Sequence, residues 1–198
     1  MDLNFAGKYL SREQFDTVLC ADSGLNAADA LGLDVQYFMG DFDSVSPSVL
    51  ERFQNGEISG GKSAQWVQYP PEKDATDTEI VLDWIVEQGA DEIVLLGATG
   101  GRLDHFLSIV NLLMHPLKAK IPAYILDPWN KICLIDQPYR IQRKEQYGTY
   151  ISLQPLTEVV TGITLIGMKY PLQDASLSIG TSLAVSNELA EGAEEAVI

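Results

Sequence analysis

Four aspartates in two polar loops are the residues of this sequence best suited to catalysis. Asp41 and Asp43 follow the apolar run over residues 35–39, whereas Asp74 and Asp77 precede a pattern typical of an amphipathic helix. Carboxylates that lie close together repel each other unless they share a cation, and Mg²⁺ binds carboxylate oxygens of this kind. We therefore predict that all four are catalytic, and that a magnesium ion is held by Asp41, Asp43 and Asp74.

The spacing of Asp41 and Asp43 predicts that their side chains point to the same side of the chain. Alternate residues of an extended segment share one face, so Phe42 between them is expected to point into the core. The alternative to a binding role is that Asp41 and Asp43 merely form an ordinary turn at the end of a strand. Aspartate is depleted in strands, and this favours a role in binding a metal or a phosphate.

A glycine-rich loop after the apolar run over residues 92–96 is suited to binding phosphate. Arg102 can donate two parallel hydrogen bonds to phosphate oxygens. Gly100 and Gly101 lack side chains, so the backbone can approach a ligand closely there. Together with the aspartates, these groups predict a magnesium-bound polyphosphate as the ligand.

Residues 17–120 alternate between strand-like and helical patterns, and these elements must position the loops. The clearest is the helix predicted over residues 77–88, which begins with a capping-box pattern at Thr76. Strands that alternate with helices form a parallel sheet, which binds ligands at the carboxyl ends of its strands. After about residue 120 only short strand-like runs remain. We therefore predict an α/β nucleotide-binding domain over residues 1–120 and an antiparallel β domain over residues 121–198.

Composition and charge exclude several classes of protein. The net charge of −15 argues against a nucleic-acid surface. No apolar run approaches the ~20 residues of a membrane helix, and no signal peptide is visible, so we expect a cytoplasmic protein. Cys20 and Cys133 lie in apolar runs and are expected to be buried thiols in a reducing compartment. The three tryptophans, Trp66, Trp84 and Trp129, are expected in the core.

Five motifs, taken together in this order and spacing, resemble those of the thiamine pyrophosphokinase family. They are residues 21–24 (Ala-Asp-Ser-Gly), 40–44 (Gly-Asp-Phe-Asp-Ser), 73–79 (Lys-Asp-Ala-Thr-Asp-Thr-Glu), 100–105 (Gly-Gly-Arg-Leu-Asp-His) and 186–188 (Ser-Asn-Glu). The resemblance implies magnesium-dependent transfer of pyrophosphate from ATP to thiamine, giving thiamine diphosphate and AMP. The family pattern also includes a strand before the first motif and a hairpin after the last, and neither is expected within residues 1–198.

The resemblance also implies ligand contacts and a quaternary structure. The residues assigned to ATP binding are Asp22, Thr76, Thr99, Gly100, Gly101, Arg102, Asp104 and His105. Ser186 and Asn187 are assigned to thiamine binding. The family fold joins a parallel-sheet α/β domain to a small antiparallel β-sandwich, and the enzyme is a homodimer with shared active sites. In that dimer thiamine lies between the α/β domain of one subunit and the β domain of the other.

Two rival functions stay open. Residues 41–45 also match the Asp-x-Asp-x-Val pattern of haloacid-dehalogenase-type phosphatases, in which Asp41 would be a covalent nucleophile. The Gly-, Thr- and Arg-rich character of the later loop favours nucleotide binding instead. The second rival is a module that binds a nucleotide or thiamine without turnover. The residues also leave open which acidic group accepts the proton of the substrate alcohol.

Overall fold

The chain folds into two compact units, Met1–Leu134 and Ile135–Ile198. This computed structural model describes residues 1–57, 64–69 and 74–198. Lys73, the first residue of the third motif, lies outside the described residues. The Gly- and Ser-rich composition of residues 55–63 predicts an exposed loop, and residues 58–63 of that segment also lie outside the described residues.

Helices and strands alternate in unit 1, and this confirms the predicted α/β class. The helices are α1 (Leu3–Leu10), α2 (Gly24–Leu31), α3 (Pro47–Gln54), α4 (Asp77–Glu87), α5 (Leu103–Leu112) and α6 (Met114–Lys118). The strands are β1 (Leu19–Ala21), β2 (Tyr37–Gly40), β3 (Gln65–Gln68), β4 (Ile93–Leu96), β5 (Ala123–Leu126) and β6 (Lys131–Ile132). Helix α1 was not predicted, and it begins where the Asp2 carboxylate accepts a hydrogen bond from the Phe5 N–H.

The described strands of unit 1 form two sheets, and the predicted parallel pairing is present in both. One sheet has the order β1-β2-β3 with all strands parallel, and the other has the order β4-β5-β6. Strand β5 pairs parallel with β4, and β6 pairs antiparallel with β5. Because β1 and β2 are parallel neighbours, the loops that follow them leave the first sheet side by side. The loops that follow β4 and β5 leave the second sheet side by side for the same reason.

An aromatic cluster holds the first sheet against its helices. The ring of Phe38 lies 4.8 Å from that of Phe53 on α3 and 4.7 Å from that of Trp66 on β3. Phe42 is buried beside Trp66, as its predicted inward direction requires. Burying aromatic side chains of this size is the largest favourable contribution to such a small core. Phe42 thus connects the loop with Asp41 and Asp43 to the aromatic cluster.

Unit 2 is built from antiparallel strands, as predicted. Its strands are β7 (Arg140–Gln142), β8 (Val159–Leu165), β9 (Leu172–Ser178) and β10 (Glu195–Val197), paired as β7 with β10 and β8 with β9. Residues 135–198, all of which the structure describes, contain no α-helix. The core of this unit includes Leu165, Met168 and Leu189.

Two features differ from the sequence-based expectations. The predicted domain boundary followed residue 120, whereas the contacts divide the chain after Leu134, because β5 is a parallel partner of β4. Trp129, expected in the core, is 83% exposed in the turn after β5. None of the helices in the described part of the chain combines the length and the apolar character needed to cross a membrane.

Candidate active site

Three aspartates meet where β1 and β2 end. One carboxylate oxygen from each of Asp22, Asp41 and Asp43 lies within 4.8 Å of the other two. The parallel register places Ala21 opposite Met39, so the residues that follow each strand leave the sheet at the same level. The sequence predicted Asp41 and Asp43 as partners, and the structure adds Asp22, which the resemblance had assigned to ATP binding.

Asp41 and Asp43 approach each other through a tight turn, not through an extended strand. Strand β2 ends at Gly40, and Phe42 has a positive φ of 63°. The backbone N–H of Asp43 donates to Oδ1 of Asp41 at 3.1 Å. The prediction of an extended segment was therefore wrong, because this hydrogen bond turns the chain directly after the strand. The carboxylates nevertheless lie close together.

Asp22 occupies a strained position that brings its carboxylate into the cluster. Its φ is 42°, and its N–H donates to the carbonyl of Met39 at 2.9 Å. The Ser44 hydroxyl donates to Oδ2 of Asp22, whereas Oδ1 is buried and has no hydrogen-bond partner among the described residues. Gly40 permits this close approach, because a Cβ at that position would lie 3.2 Å from backbone atoms of Asp22.

The electrostatics of the cluster suit a divalent cation. Repulsion from Asp41 is the largest cause that raises the pKa of Asp43, followed by desolvation and the charges of Asp22 and Asp77. A buried carboxylate oxygen without a partner is costly unless a ligand satisfies it. Clustered carboxylate oxygens are the ligands that Mg²⁺ and Ca²⁺ prefer. The residues present therefore fit a hard divalent cation.

The residues around the start of α4 have different surroundings: Thr76 caps the helix, and Asp77 lies near the acidic cluster. The Thr76 hydroxyl accepts a hydrogen bond from the Glu79 N–H at 3.3 Å, so Thr76 is the predicted N-cap. Asp77 is the first residue of α4, and its charge contributes to the raised pKa of Asp43. Asp74 is exposed and is not part of the three-aspartate group found among the described residues. Its predicted role as a metal ligand stays a prediction.

The glycine-rich loop after β4 presents an ion pair at its end. Arg102 holds Asp104 with two hydrogen bonds of 3.3 and 2.6 Å, and both side chains are exposed. Hydrogen bonding from Arg102 is the largest cause that lowers the pKa of Asp104 to about 2, and the His105 N–H contributes. Asp104 lies inside α5, whose N-cap position is Arg102. A Cβ at Gly100 or Gly101 would have no neighbour within 4 Å among the described residues, so these residues leave space beside the loop.

Asp127 is a residue of this region that sequence reasoning missed. It follows β5 and accepts hydrogen bonds from the N–H groups of Trp129 at 2.7 Å and Asn130 at 2.6 Å. Burial raises its pKa, but hydrogen bonds led by that of Trp129, with Thr99 contributing, outweigh burial and hold the pKa below its usual value. The contact with Thr99 joins the turn after β5 to the glycine-rich loop. An acidic residue directly after an apolar run was the available signal, but that run was assigned to the second domain.

The two residues assigned to thiamine differ in exposure. Ser186 is exposed with a positive φ of 58°, and its N–H donates to the Ser152 hydroxyl at 2.9 Å. Asn187 is only 3% exposed. Its Oδ1 accepts from the N–H groups of Tyr170 and Glu188, and its Nδ2 donates to the Tyr170 carbonyl at 2.7 Å. These contacts give Asn187 a structural role in unit 2, and its thiamine contact stays a prediction.

Comparisons with known proteins point to one family for both units. The family model "Thiamin pyrophosphokinase, catalytic domain" matches residues 9–125, and "Thiamin pyrophosphokinase, vitamin B1 binding domain" matches residues 138–198. A thiamine pyrophosphokinase of Bacillus subtilis is 34% identical over 174 residues, which are 87% of this chain and 74% of that protein. Thiamin pyrophosphokinase 1 of Caenorhabditis elegans is 26% identical over 76% of this chain and 60% of its own length.

Solved structures give the same result at the level of the fold. The crystal structure of thiamine pyrophosphokinase from Bacillus subtilis superposes with a TM-score of 0.83 at 31% identity, covering 95% of this chain and 85% of its own. That of thiamin pyrophosphokinase from Geobacillus thermodenitrificans has a TM-score of 0.80 at 33% identity, covering 100% and 85%.

Proposed function

Because the chain belongs to the thiamin pyrophosphokinase family, we propose that it transfers the pyrophosphoryl group of ATP to thiamine, giving thiamine diphosphate and AMP. The observation that carries this proposal is the pair of consecutive family matches, residues 9–125 within unit 1 and residues 138–198 within unit 2. Neither the phosphatase nor the non-catalytic binding module finds support in these matches.

The acidic cluster is the proposed magnesium site. Asp41 and Asp43 would hold the ion, and the unpartnered Oδ1 makes Asp22 a third candidate ligand. When bound, Mg²⁺ neutralises charge on the oligophosphate and helps to orient it. Magnesium keeps several waters and needs only a few carboxylates, so three candidates are sufficient.

The proton of the thiamine hydroxyl must be accepted as the oxygen attacks the β-phosphorus of ATP. Asp43 and Asp77 are our candidates for this role. Asp43 lies among the charges of Asp41, Asp22 and Asp77, so several carboxylates are close to one another here. Asp77, at the start of α4, is one of those neighbours.

Arg102 and the glycine-rich loop are the proposed binding site for the phosphates of ATP. The guanidinium of Arg102 is already exposed and aligned for a bidentate contact, which it makes with Asp104. A phosphate oxygen would compete with Asp104 for the same N–H groups. Thr99, Gly100 and Gly101 lie in the same loop, where open space allows the backbone N–H groups to approach a nucleotide.

A homodimer with shared active sites, acting in the cytoplasm, completes the proposal. The resemblance supports the dimer, and the two cysteines, both thiols, agree with a reducing compartment. The shared site is tested with an Asp43→Asn chain and a Ser186→Ala chain, since Asn187 is buried and its replacement would disturb the fold. Mixed dimers should be more active than either impaired parent, and verified mixed dimers without recovery would exclude a shared site.

The activity is tested by incubating the chain with ATP, thiamine and MgCl2 and separating the products by chromatography. We expect AMP and thiamine diphosphate in equal amounts, and neither when thiamine is omitted. A phosphatase would release phosphate whether or not thiamine is present. A binding module would give no product. Either result would refute the proposed function.

A further inference from the structure

One side chain outside the acidic cluster holds the loop that carries it. Asn26 lies in the first turn of α2, and its Oδ1 accepts a hydrogen bond from the Ser46 N–H at 3.0 Å. Its Nδ2 lies 3.4 Å from the carbonyl oxygen of Ser44, to which it donates. A single amide thus binds two peptide groups on either side of Val45, which is buried.

The start of α2 is connected by hydrogen bonds both to Asp22 and to the loop that carries Asp41 and Asp43. Asp22 lies two residues before α2, the helix that carries Asn26, and the N–H of Leu25 donates to the Asp22 carbonyl at 3.1 Å. From the loop, the Ser44 hydroxyl donates to the Asp22 carboxylate. The loop that contains Asp41 and Asp43 is therefore attached to the Asp22 turn by a charged contact and by the neutral amide of Asn26.

The neutral contact matters most when no cation is bound. Three carboxylates with oxygens within 4.8 Å of one another repel, and this repulsion pushes the loop away from Asp22. The bonds of Asn26 carry no net charge, so they are the same with and without a cation. They oppose the separation of the carboxylates and keep the ligand oxygens near their binding positions.

We propose that Asn26 is a positioning residue, which holds Asp41 and Asp43 against Asp22 so that a divalent cation binds to a preformed site. The inference rests on the proposed magnesium site. Groups that hydrogen-bond the metal ligands themselves typically contribute 10- to 100-fold in metal affinity, and because Asn26 acts through the backbone of Ser44 and Ser46 we expect the lower end of that range. A loop without its anchor must be ordered by the ion itself, and that ordering lowers the affinity.

The test compares Asn26→Ala with Asn55→Ala in the full chain. Asn55 is the exposed C-cap of α3, and among the described residues its side chain makes one long hydrogen bond, from Nδ2 to Glu57 at 3.4 Å. Binding of Mn²⁺, used as a paramagnetic probe without nucleotide, is measured from the loss of the free-ion resonance signal. We expect Asn26→Ala to weaken Mn²⁺ binding by about 10-fold or more and Asn55→Ala to leave it unchanged.

A second measurement separates positioning from general damage. Turnover of Asn26→Ala at saturating Mg²⁺ should approach that of the wild type, whereas the Mg²⁺ concentration for half-maximal rate should rise by a similar factor. Alanine is a good helix former, so the replacement itself favours α2. Should Asn26→Ala not fold, Asn26→Gln serves for the same comparison, because its amide is displaced by one methylene group.

The outcomes are distinct. If the wild type and Asn26→Ala bind Mn²⁺ within twofold of each other, the role of Asn26 is wrong and the magnesium site stands. If the wild type binds no Mn²⁺ without nucleotide, the cluster is not a preformed cation site and the inference is wrong. Formation of thiamine diphosphate, measured separately, reports on the proposed activity independently of both.

Discussion

Replacing Gly40, the last residue of β2, with alanine should damage the acidic cluster. A Cβ at this position would lie 3.2 Å from N, Cα and Cβ of Asp22. The Asp22 backbone cannot simply withdraw, because its N–H donates to the Met39 carbonyl at 2.9 Å. The added methyl group must therefore shift Asp22, and with it one of the three carboxylates, by a few tenths of an ångström.

The expected loss of stability has two parts. Gly40 has a φ of 149°, and an L-residue held in such a sparsely populated conformation costs about 1–3 kcal/mol. Overpacking against Asp22 adds about 1–3 kcal/mol. Gly32 is the matched control: it has a φ of 63°, and no atom of the described residues lies within 4 Å of an added Cβ, so Gly32→Ala costs only about 1–2 kcal/mol of backbone strain.

Urea unfolding and the Mg²⁺ dependence of turnover measure the two effects. Gly40→Ala should lose more free energy of unfolding than Gly32→Ala, and it alone should require more Mg²⁺ for half-maximal rate. Gly32 ends α2 away from the cluster, so its replacement should change stability but not the metal requirement. If the two variants lose the same stability and keep the same Mg²⁺ dependence, Gly40 does not position Asp22 and the reasoning is wrong.

Three further predictions follow from individual contacts. Asp41→Asn and Asp43→Asn should each lower turnover at limiting Mg²⁺ by about tenfold or more. The free energy of unfolding in urea should stay near that of the wild type, because each change also relieves repulsion between carboxylates. If the kinetics of a variant are unchanged, the replaced residue is not part of the site. Asn187→Ala removes three side-chain hydrogen bonds of about 1 kcal/mol each, so calorimetry should show a less stable unit 2, and an unchanged transition would contradict the structural role. Burial raises the pKa of the Cys20 thiol to about 12. The buried protonated thiol therefore contributes fully to the free energy of unfolding below the pKa of the unfolded thiol, and this contribution is lost as the pH rises towards 12. At pH 8.5 iodoacetamide should therefore modify Cys133 in the folded chain and Cys20 only after denaturation, and equal rates would refute the burial argument.

Local patterns were sufficient to predict most elements and several polar residues at their ends. Helix α4 and its Thr76 cap were predictable, because a capping box and an apolar stripe involve residues within one or two turns of each other. The acidic loop was predictable for a similar reason, since aspartates directly after an apolar run indicate the end of a strand. Helix α1 was missed, because its short, mixed pattern resembles no standard signal.

The partners of these residues were decided by the tertiary structure. Asp22 joins Asp41 and Asp43 only because β1 pairs in parallel with β2, which fixes the relative level of loops about twenty residues apart. Asn26 is one further example, since its hydrogen bonds reach residues 18 and 20 positions along the chain.

The same distinction explains Asp127 and Asn187. Asp127 reaches Thr99 because β5 pairs with β4, a pairing that no local pattern predicted. The thiamine contact of Asn187 stays a prediction, but the packing of unit 2 that buries it against Tyr170 was not predicted. Periodicity and capping depend on neighbours along the chain, and the sequence alone determines them. Which side chains meet depends on strand register and packing between distant segments, and only the folded chain determines that.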